Sequence, residues 1–196
     1  MPKIIYVLAC CFLLSLPLTA QTTWSAEGPG FNVWVGGSIS TFNPDYGCGN
    51  NAPWACLKGQ LLGISPYAHT SSLLFNRIGA EGQARFLHWR GPGSLTESSY
   101  MAGPRVSILH KKKFIFSGRV LFGTGHIGLK SGLFGTGNYL AYAPGGAVDY
   151  RIARRVFARV DYEYQIWPSF KGAPIGGHQG LTPNGISIGL SYSILH

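Results

Sequence analysis

One segment in the last third of the chain constrains the fold more than any other. Residues 156 to 167 read Val-Phe-Ala-Arg-Val-Asp-Tyr-Glu-Tyr-Gln-Ile-Trp. Every even position is apolar, and the odd positions include Arg159, Asp161, Glu163 and Gln165. Because successive side chains of a strand point to opposite faces, the segment predicts a strand with one apolar and one charged face. The period of two does not say which face is buried.

The same period of two recurs along the chain and predicts eight strands. The clearest case lies near the C-terminus, where Ile186, Ile188, Leu190, Tyr192 and Ile194 alternate with serines and a glycine. In most of the other segments an apolar set also holds one parity, opposite small, polar or charged residues. The predicted strands span residues 31–42, 61–69, 78–89, 99–110, 114–127, 140–152, 156–167 and 184–195.

The predicted connections alternate between two kinds. Those at residues 43–60, 90–98, 130–137 and 168–184 are long and rich in Gly, Pro, Asn or Ser, whereas those at 70–77, 111–113 and 153–155 are shorter. Both termini lie on the side of the short connections. This is the layout of a bacterial transmembrane β-barrel, with long extracellular loops and short periplasmic turns. An even number of antiparallel strands also lets the sheet close without an exposed edge.

Composition and the N-terminus agree with an exported all-β chain. The 28 glycines and the 12% share of charged residues argue against a helical bundle. Residues 1–20 contain Lys3, an apolar run and a small-residue end, and they predict a signal peptide that is cleaved after Ala20. We therefore divide the chain into the signal peptide, an N-terminal extension at 21–30 and a barrel at 31–196.

Two cysteines remain after the signal peptide. Cys48 and Cys56 lie in one predicted loop, and in an exported chain they favour a local disulfide over two free thiols. The formal charge of +9 is compatible with an anionic lipid surface. No basic stripe interleaved with stacking aromatics is present, so we expect no nucleic-acid partner.

The alternate strand positions that carry the charged residues are the ones that a membrane barrel would turn towards its lumen. Such charges have to pair, because an isolated buried ion is costly. We therefore predict a lumen plugged by ion pairs, and the alternative is a narrow anion path, since arginines outnumber carboxylates five to four in this set. The predicted lumen residues are Glu81, Arg85, Arg105, Arg119, Asp149, Arg151, Arg159, Asp161 and Glu163.

A soluble sandwich would bury the apolar parity instead. Aromatic residues near strand ends favour lipid, because Tyr and Trp suit the headgroup zone of a bilayer. These residues are Trp34, Phe86, Tyr100, Tyr142, Tyr162, Tyr164 and Tyr192.

The C-terminal strand carries a resemblance. The spacing of Ser187, Gly189, Tyr192 and Ile194 is similar to the C-terminal assembly signal of outer-membrane barrels, although the chain ends in His196 where such chains commonly end in an aromatic residue. With segments 79–86, 102–105 and 142–151, residues 30–196 resemble the OmpA-like, porin-related family of eight-stranded outer-membrane β-barrels. The resemblance implies an outer-membrane location, contact with lipid and lipopolysaccharide, handling by the barrel-assembly machinery, and a monomer.

These features predict a structural or surface-interacting role, with loops that offer a possible site for an extracellular ligand. We expect no catalytic residue and no cofactor. We also expect no metal site, because the histidines other than His69 are scattered along the chain and lack the spacing of metal ligands. The competing hypothesis is a lipid-modifying enzyme of the lipid A deacylase type. It rests on His69 and Ser71 alone, which share one strand face.

Overall fold

The computed structural model describes residues 32–44, 60–70, 77–89, 95–129, 137–170 and 181–195. The predicted signal peptide, the extension, Cys48, Cys56 and Ser71 lie outside these residues. The described part contains eight strands and no helix that is long and apolar enough to cross a membrane. The strands are β1 (Val33–Asn43), β2 (Leu61–Thr70), β3 (Ile78–Trp89), β4 (Leu95–Lys111), β5 (Phe114–Leu129), β6 (Gly137–Arg151), β7 (Val156–Tyr164) and β8 (Asn184–Leu195).

The sheet is a closed barrel. Each strand pairs antiparallel with the next one along the chain, and β8 returns to pair with β1. In this seam Val35 faces Tyr192, Ile39 faces Ile188 and Asn43 faces Asn184. Closure gives every strand two hydrogen-bonded neighbours and leaves no sheet edge. The predicted eight-stranded antiparallel barrel is therefore confirmed.

The two ends of the barrel differ in their connections. The turn end carries both termini of the barrel and the connections 71–77, 112–113 and 152–155. The loop end carries the connections 44–60, 90–94, 130–136 and 165–183. Two predictions need correction here. β4 begins at Leu95, so the predicted loop at 90–98 shrinks to 90–94. This connection is shorter than the turn-end connection at 71–77, so long and short connections do not alternate strictly along the chain. Leu95, Glu97 and Ser99 continue the inward parity of β4, so the strand extends towards the loop end.

The two faces of the strands follow the predicted parity. On the outer face Ile39, Ile64 and Ile188 expose 60% or more of their surface. In β7 Val160 and Tyr162 point outward, while Arg159, Asp161 and Glu163 are buried. Trp34 is the exception among the aromatic residues predicted for the headgroup zone. It points into the barrel and stacks on His69 at 4.9 Å between ring centroids, because it shares the inward parity of Ser38 and Ser40.

Candidate functional site

The barrel interior holds a cluster of four arginines and four carboxylates. They come from five neighbouring strands, and each occupies an inward position because of the strand parity. All eight side chains are buried. We call this set the charge cluster: Glu81, Arg85, Arg105, Arg119, Asp149, Arg159, Asp161 and Glu163.

Glu81 and Arg119 are the centre of the charge cluster. Glu81 accepts hydrogen bonds from Arg105 at 2.9 Å, from Arg159 at 2.7 Å and from Arg119. Arg119 also donates to Asp161 at 2.8 Å and to Glu163 at 2.9 Å. Removal of either centre would therefore leave several buried partners uncompensated at once.

Two arginines of the cluster contact an aromatic ring in addition to their carboxylate partners. Arg85 pairs with Glu163 at 2.5 Å, and its guanidinium lies 4.1 Å from the ring centroid of Phe42. Arg159 lies 4.4 Å from the ring centroid of Tyr67. These cation–π contacts fix guanidinium planes that ion pairs alone would leave free to rotate.

Arg151 does not belong to the charge cluster. It was predicted as a lumen charge because it shares the parity of Asp149, but its side chain is exposed and lies 5.7 Å from the ring of Phe157. As the last residue of β6, it stands at the rim of the turn end, where a long side chain reaches solvent. Without Arg151 the cluster holds equal numbers of positive and negative groups.

An apolar cap fills the interior between the charge cluster and the loop end. Its members lie on inward positions near the loop-end termini of the strands, with Trp167 and Leu181 contributed by the connection from β7 to β8. Trp167 is fully buried and packs directly on the backbone of Gly125, where a Cβ atom would come within 2.2 Å of the indole ring. The apolar cap comprises Phe42, Leu61, Leu87, Leu95, Met101, Leu121, Ile127, Ala141, Ala143, Trp167 and Leu181.

Hydrogen bonds join the cap to the charge cluster. The indole N–H of Trp167 donates to the Gln165 side chain at 2.8 Å. Gln165 in turn donates to Glu163 at 2.8 Å, and Glu163 pairs with Arg85. The segment that carries Trp167 is anchored by isolated bridges from Ile166 to Tyr142 and from Trp167 to Leu181. The polar and apolar parts of the interior therefore form one connected packing unit.

A cavity of about 180 Å³ lies at the turn end. Its walls include Trp34, His69 and Phe157, with Arg105 and Asp149 from the charge cluster. Arg151 and Arg154 also line it, and both are exposed. Of the charge cluster, only Arg105 and Asp149 line this cavity.

His69 faces this interior and not the outer surface. It is buried between Trp34 and Tyr67, and its Nδ1 lies 3.5 Å from Arg159. Because Ser71 lies outside the described residues, the geometry of the predicted His69–Ser71 pair is not defined. Within the described ranges, no group of three His, Cys, Asp or Glu side chains is arranged to hold a metal ion.

The residues of the predicted assembly signal lie in β8 as the alternation requires. Ser187 is buried and hydrogen-bonds Ser40 across the closing seam at 2.8 Å. Tyr192 and Ile194 point outward. A Cβ atom at Gly189 would lie 2.2 Å from the Gly37 carbonyl oxygen, so this position favours glycine on packing grounds alone.

Sequence reasoning missed several interior residues. Glu97 is a fifth buried carboxylate. It lies two positions before Ser99, so a longer predicted strand β4 would have placed it inside the barrel. Trp167 and Phe157 lie on the charged parity of β7 and were not assigned a place inside. Inward apolar residues close the ends of the lumen, and parity alone does not distinguish the ends of a strand from its middle.

Several solved structures have a fold similar to that of this chain. Neisserial surface protein A aligns with a TM-score of 0.52 at 12% identity, which covers 83% of this chain and 96% of that one. The outer membrane protein OprG from Pseudomonas aeruginosa aligns with a TM-score of 0.55 at 11% identity over 84% and 96%. Ail, the attachment invasion locus protein of Yersinia pestis, aligns with a TM-score of 0.50 at 15% identity over 84% and 99%. No protein-family model and no curated protein matches the sequence. The chain therefore shares the fold of eight-stranded outer-membrane β-barrels.

Proposed function

We propose that this chain is a bacterial outer-membrane protein whose barrel is a closed, non-conducting scaffold. Its role is structural and surface-interacting, with the loop end outside the cell and the turn end in the periplasm. The observation that carries the proposal is the filled interior, in which the charge cluster and the apolar cap follow one another along the barrel. Eight strands enclose an interior that is just wide enough for side chains to fill.

The outer face supports the membrane location. Large apolar side chains cover it on all eight strands, and a soluble protein rarely exposes so extensive an apolar surface. The resulting partners are membrane lipid and lipopolysaccharide, together with the barrel-assembly machinery during insertion. An extracellular ligand, if there is one, binds at the loop end.

The composition of the charge cluster supports a closed lumen rather than a narrow anion path. The anion path was suggested by an excess of arginine, and the four arginines here face four carboxylates that they neutralise.

The orientation of His69 supports a non-enzymatic role. A lipid in the bilayer meets the outer face, whereas His69 points into the interior.

Cell fractionation and planar-bilayer recording test the proposal together. The full chain should be recovered in the outer-membrane fraction and require detergent for extraction. The purified barrel should add no steady current to a planar bilayer in which a large porin, as a positive control, conducts. Recovery in the soluble periplasm would refute the membrane location, and a steady current with anion selectivity would refute the closed lumen.

A further inference from the structure

The described charged side chains are divided between two places. Every described acidic side chain is buried inside the barrel. Among the described residues, seven lysine and arginine side chains are exposed, and all of them lie at the turn end. We call this set the basic rim: Arg77, Lys111, Lys112, Lys113, Arg151, Arg154 and Arg155.

The basic rim has no exposed acidic neighbour in the described part of the chain. Like charges on adjacent turns repel one another, so the rim favours anions that approach from outside the protein. The three turns are separated around the barrel by pairs of strands. One small anion therefore cannot contact all of them, whereas a surface that offers many anionic groups can.

Apolar residues on the outer face set the depth of the rim in a membrane. Ile108 and Leu109 precede Lys111, Phe114 follows Lys113, and Ile152 precedes Arg154; all four are exposed on the outer face. The rings of Phe114 and Tyr150 lie 4.8 Å apart, which forms an aromatic group beside the turn. Aromatic side chains of this kind mark the boundary between acyl chains and headgroups.

Arg155 adds a second kind of contact. Its guanidinium lies 3.5 Å from the hydroxyl of Tyr192, which points outward from β8. A guanidinium and a phenol hydroxyl side by side offer several hydrogen-bond donors to one phosphate oxygen. Lys112 reaches outward from a two-residue turn with a φ of 53°.

We propose that the basic rim binds the phosphate groups of anionic phospholipids in the leaflet that the turn end faces. The inference rests on the proposed membrane-spanning role. It goes beyond that role because it gives one end of the barrel a preference for a lipid class. Each Lys or Arg near an anionic surface contributes about fivefold to the binding constant. Arg151 and Arg154 also line the interior cavity, and the other five residues of the basic rim are together enough for a strong preference.

Native mass spectrometry of the full chain tests this preference. The barrel is folded in micelles that contain equal amounts of phosphatidylglycerol and phosphatidylcholine, and the lipids retained on the folded protein are counted. We expect the wild type to retain phosphatidylglycerol in clear excess, and added sodium chloride to reduce the excess. The variant K111Q/K112N/K113Q should lower the excess by about tenfold or more, with asparagine chosen at position 112 because it tolerates a positive φ.

The matched control K111R/K112R/K113R keeps the charges and should keep the excess. Far-UV circular dichroism verifies that every variant is folded. Equal retention of the two lipids by the folded wild type would overturn the inference while leaving the proposed membrane role intact, whereas a chain that does not fold into micelles at all would count against the role. Loss of the excess in sodium phosphate, but not in sodium chloride of the same ionic strength, would show a site for free anions and overturn the assignment to lipid.

Discussion

Glu81, like Arg119, pairs with three oppositely charged side chains of the barrel interior. It is the shared acceptor of three arginines that come from three different strands, β4, β5 and β7. Buried ion pairs contribute little net stability when complete, because desolvation offsets the attraction. The loss of one partner has a much larger effect, since the remaining charges stay buried without compensation. The importance of Glu81 therefore lies in its several partners and not in the strength of one bond.

Glu81→Gln should lower the free energy of unfolding by about 3–5 kcal/mol, because it removes a charge that faces three buried guanidinium groups. Urea titration of the barrel in micelles measures the change. Ser99→Ala is a matched control, since Ser99 is also buried in the barrel interior, on the neighbouring strand β4, and carries no charge. It should cost only about 1 kcal/mol. Equal losses in the two variants would contradict a central role for Glu81.

At the scale of single elements, the seam between β1 and β8 decides whether the sheet closes. Inward Ser40 and Ser187 hydrogen-bond across it, and Gly189 allows the two backbones to approach. The sequence alternation assigned both strands to a barrel but did not show this close approach. The glycine was noted only as part of an assembly signal, whereas its place in the seam gives it a packing role that is independent of recognition.

Gly189→Ala should destabilise the barrel by about 1–3 kcal/mol, because the added Cβ overlaps the backbone of β1 at Gly37 and Ser38. Gly37→Ala is the control on the opposite strand of the same seam, since a Cβ there meets nothing within 4 Å. It should be neutral or slightly stabilising. The free energy of unfolding and the refolded fraction measure both variants. An unaffected Gly189→Ala barrel would show that the seam adjusts without cost.

Strand parity was predictable from the sequence, while the limits of the lumen were not. Alternation placed Arg159, Asp161 and Glu163 inside, because the side-chain direction of a strand depends only on the period of two. It failed for Arg151, and the assignment of aromatic residues to the headgroup zone failed for Trp34. Arg151 has inward parity but stands at a rim where its side chain escapes to solvent, and Trp34 is an aromatic residue that fills the inside of the turn end. The position of a residue along the barrel axis decides whether its side chain stays inside or reaches solvent. This position depends on the register between strands, which the sequence alone did not reveal.

At the scale of the whole molecule, the described residues of the barrel differ in character from one end of its axis to the other. The interior carries the charge cluster, the apolar cap lies towards the loop end, and the turn end carries the basic rim. A chain that crosses the periplasm before it inserts leaves its termini and short turns on the periplasmic side. In the proposed orientation the basic rim faces the inner leaflet of the outer membrane. Orientation therefore connects the fold, the proposed role and the lipid preference.

Site-specific labelling tests this orientation. Single cysteines replace Lys112, in the turn between β4 and β5, and Ser169, an exposed residue in the connection between β7 and β8, on a background in which Cys48 and Cys56 are changed to Ser. In intact cells a membrane-impermeant maleimide should label Ser169→Cys and leave Lys112→Cys unlabelled, because the outer membrane keeps the reagent away from the turn end. Permeabilisation of the outer membrane should then expose Lys112→Cys, which lies on an exposed turn. Labelling of Lys112→Cys in intact cells would place the basic rim outside the cell and reverse the proposed orientation.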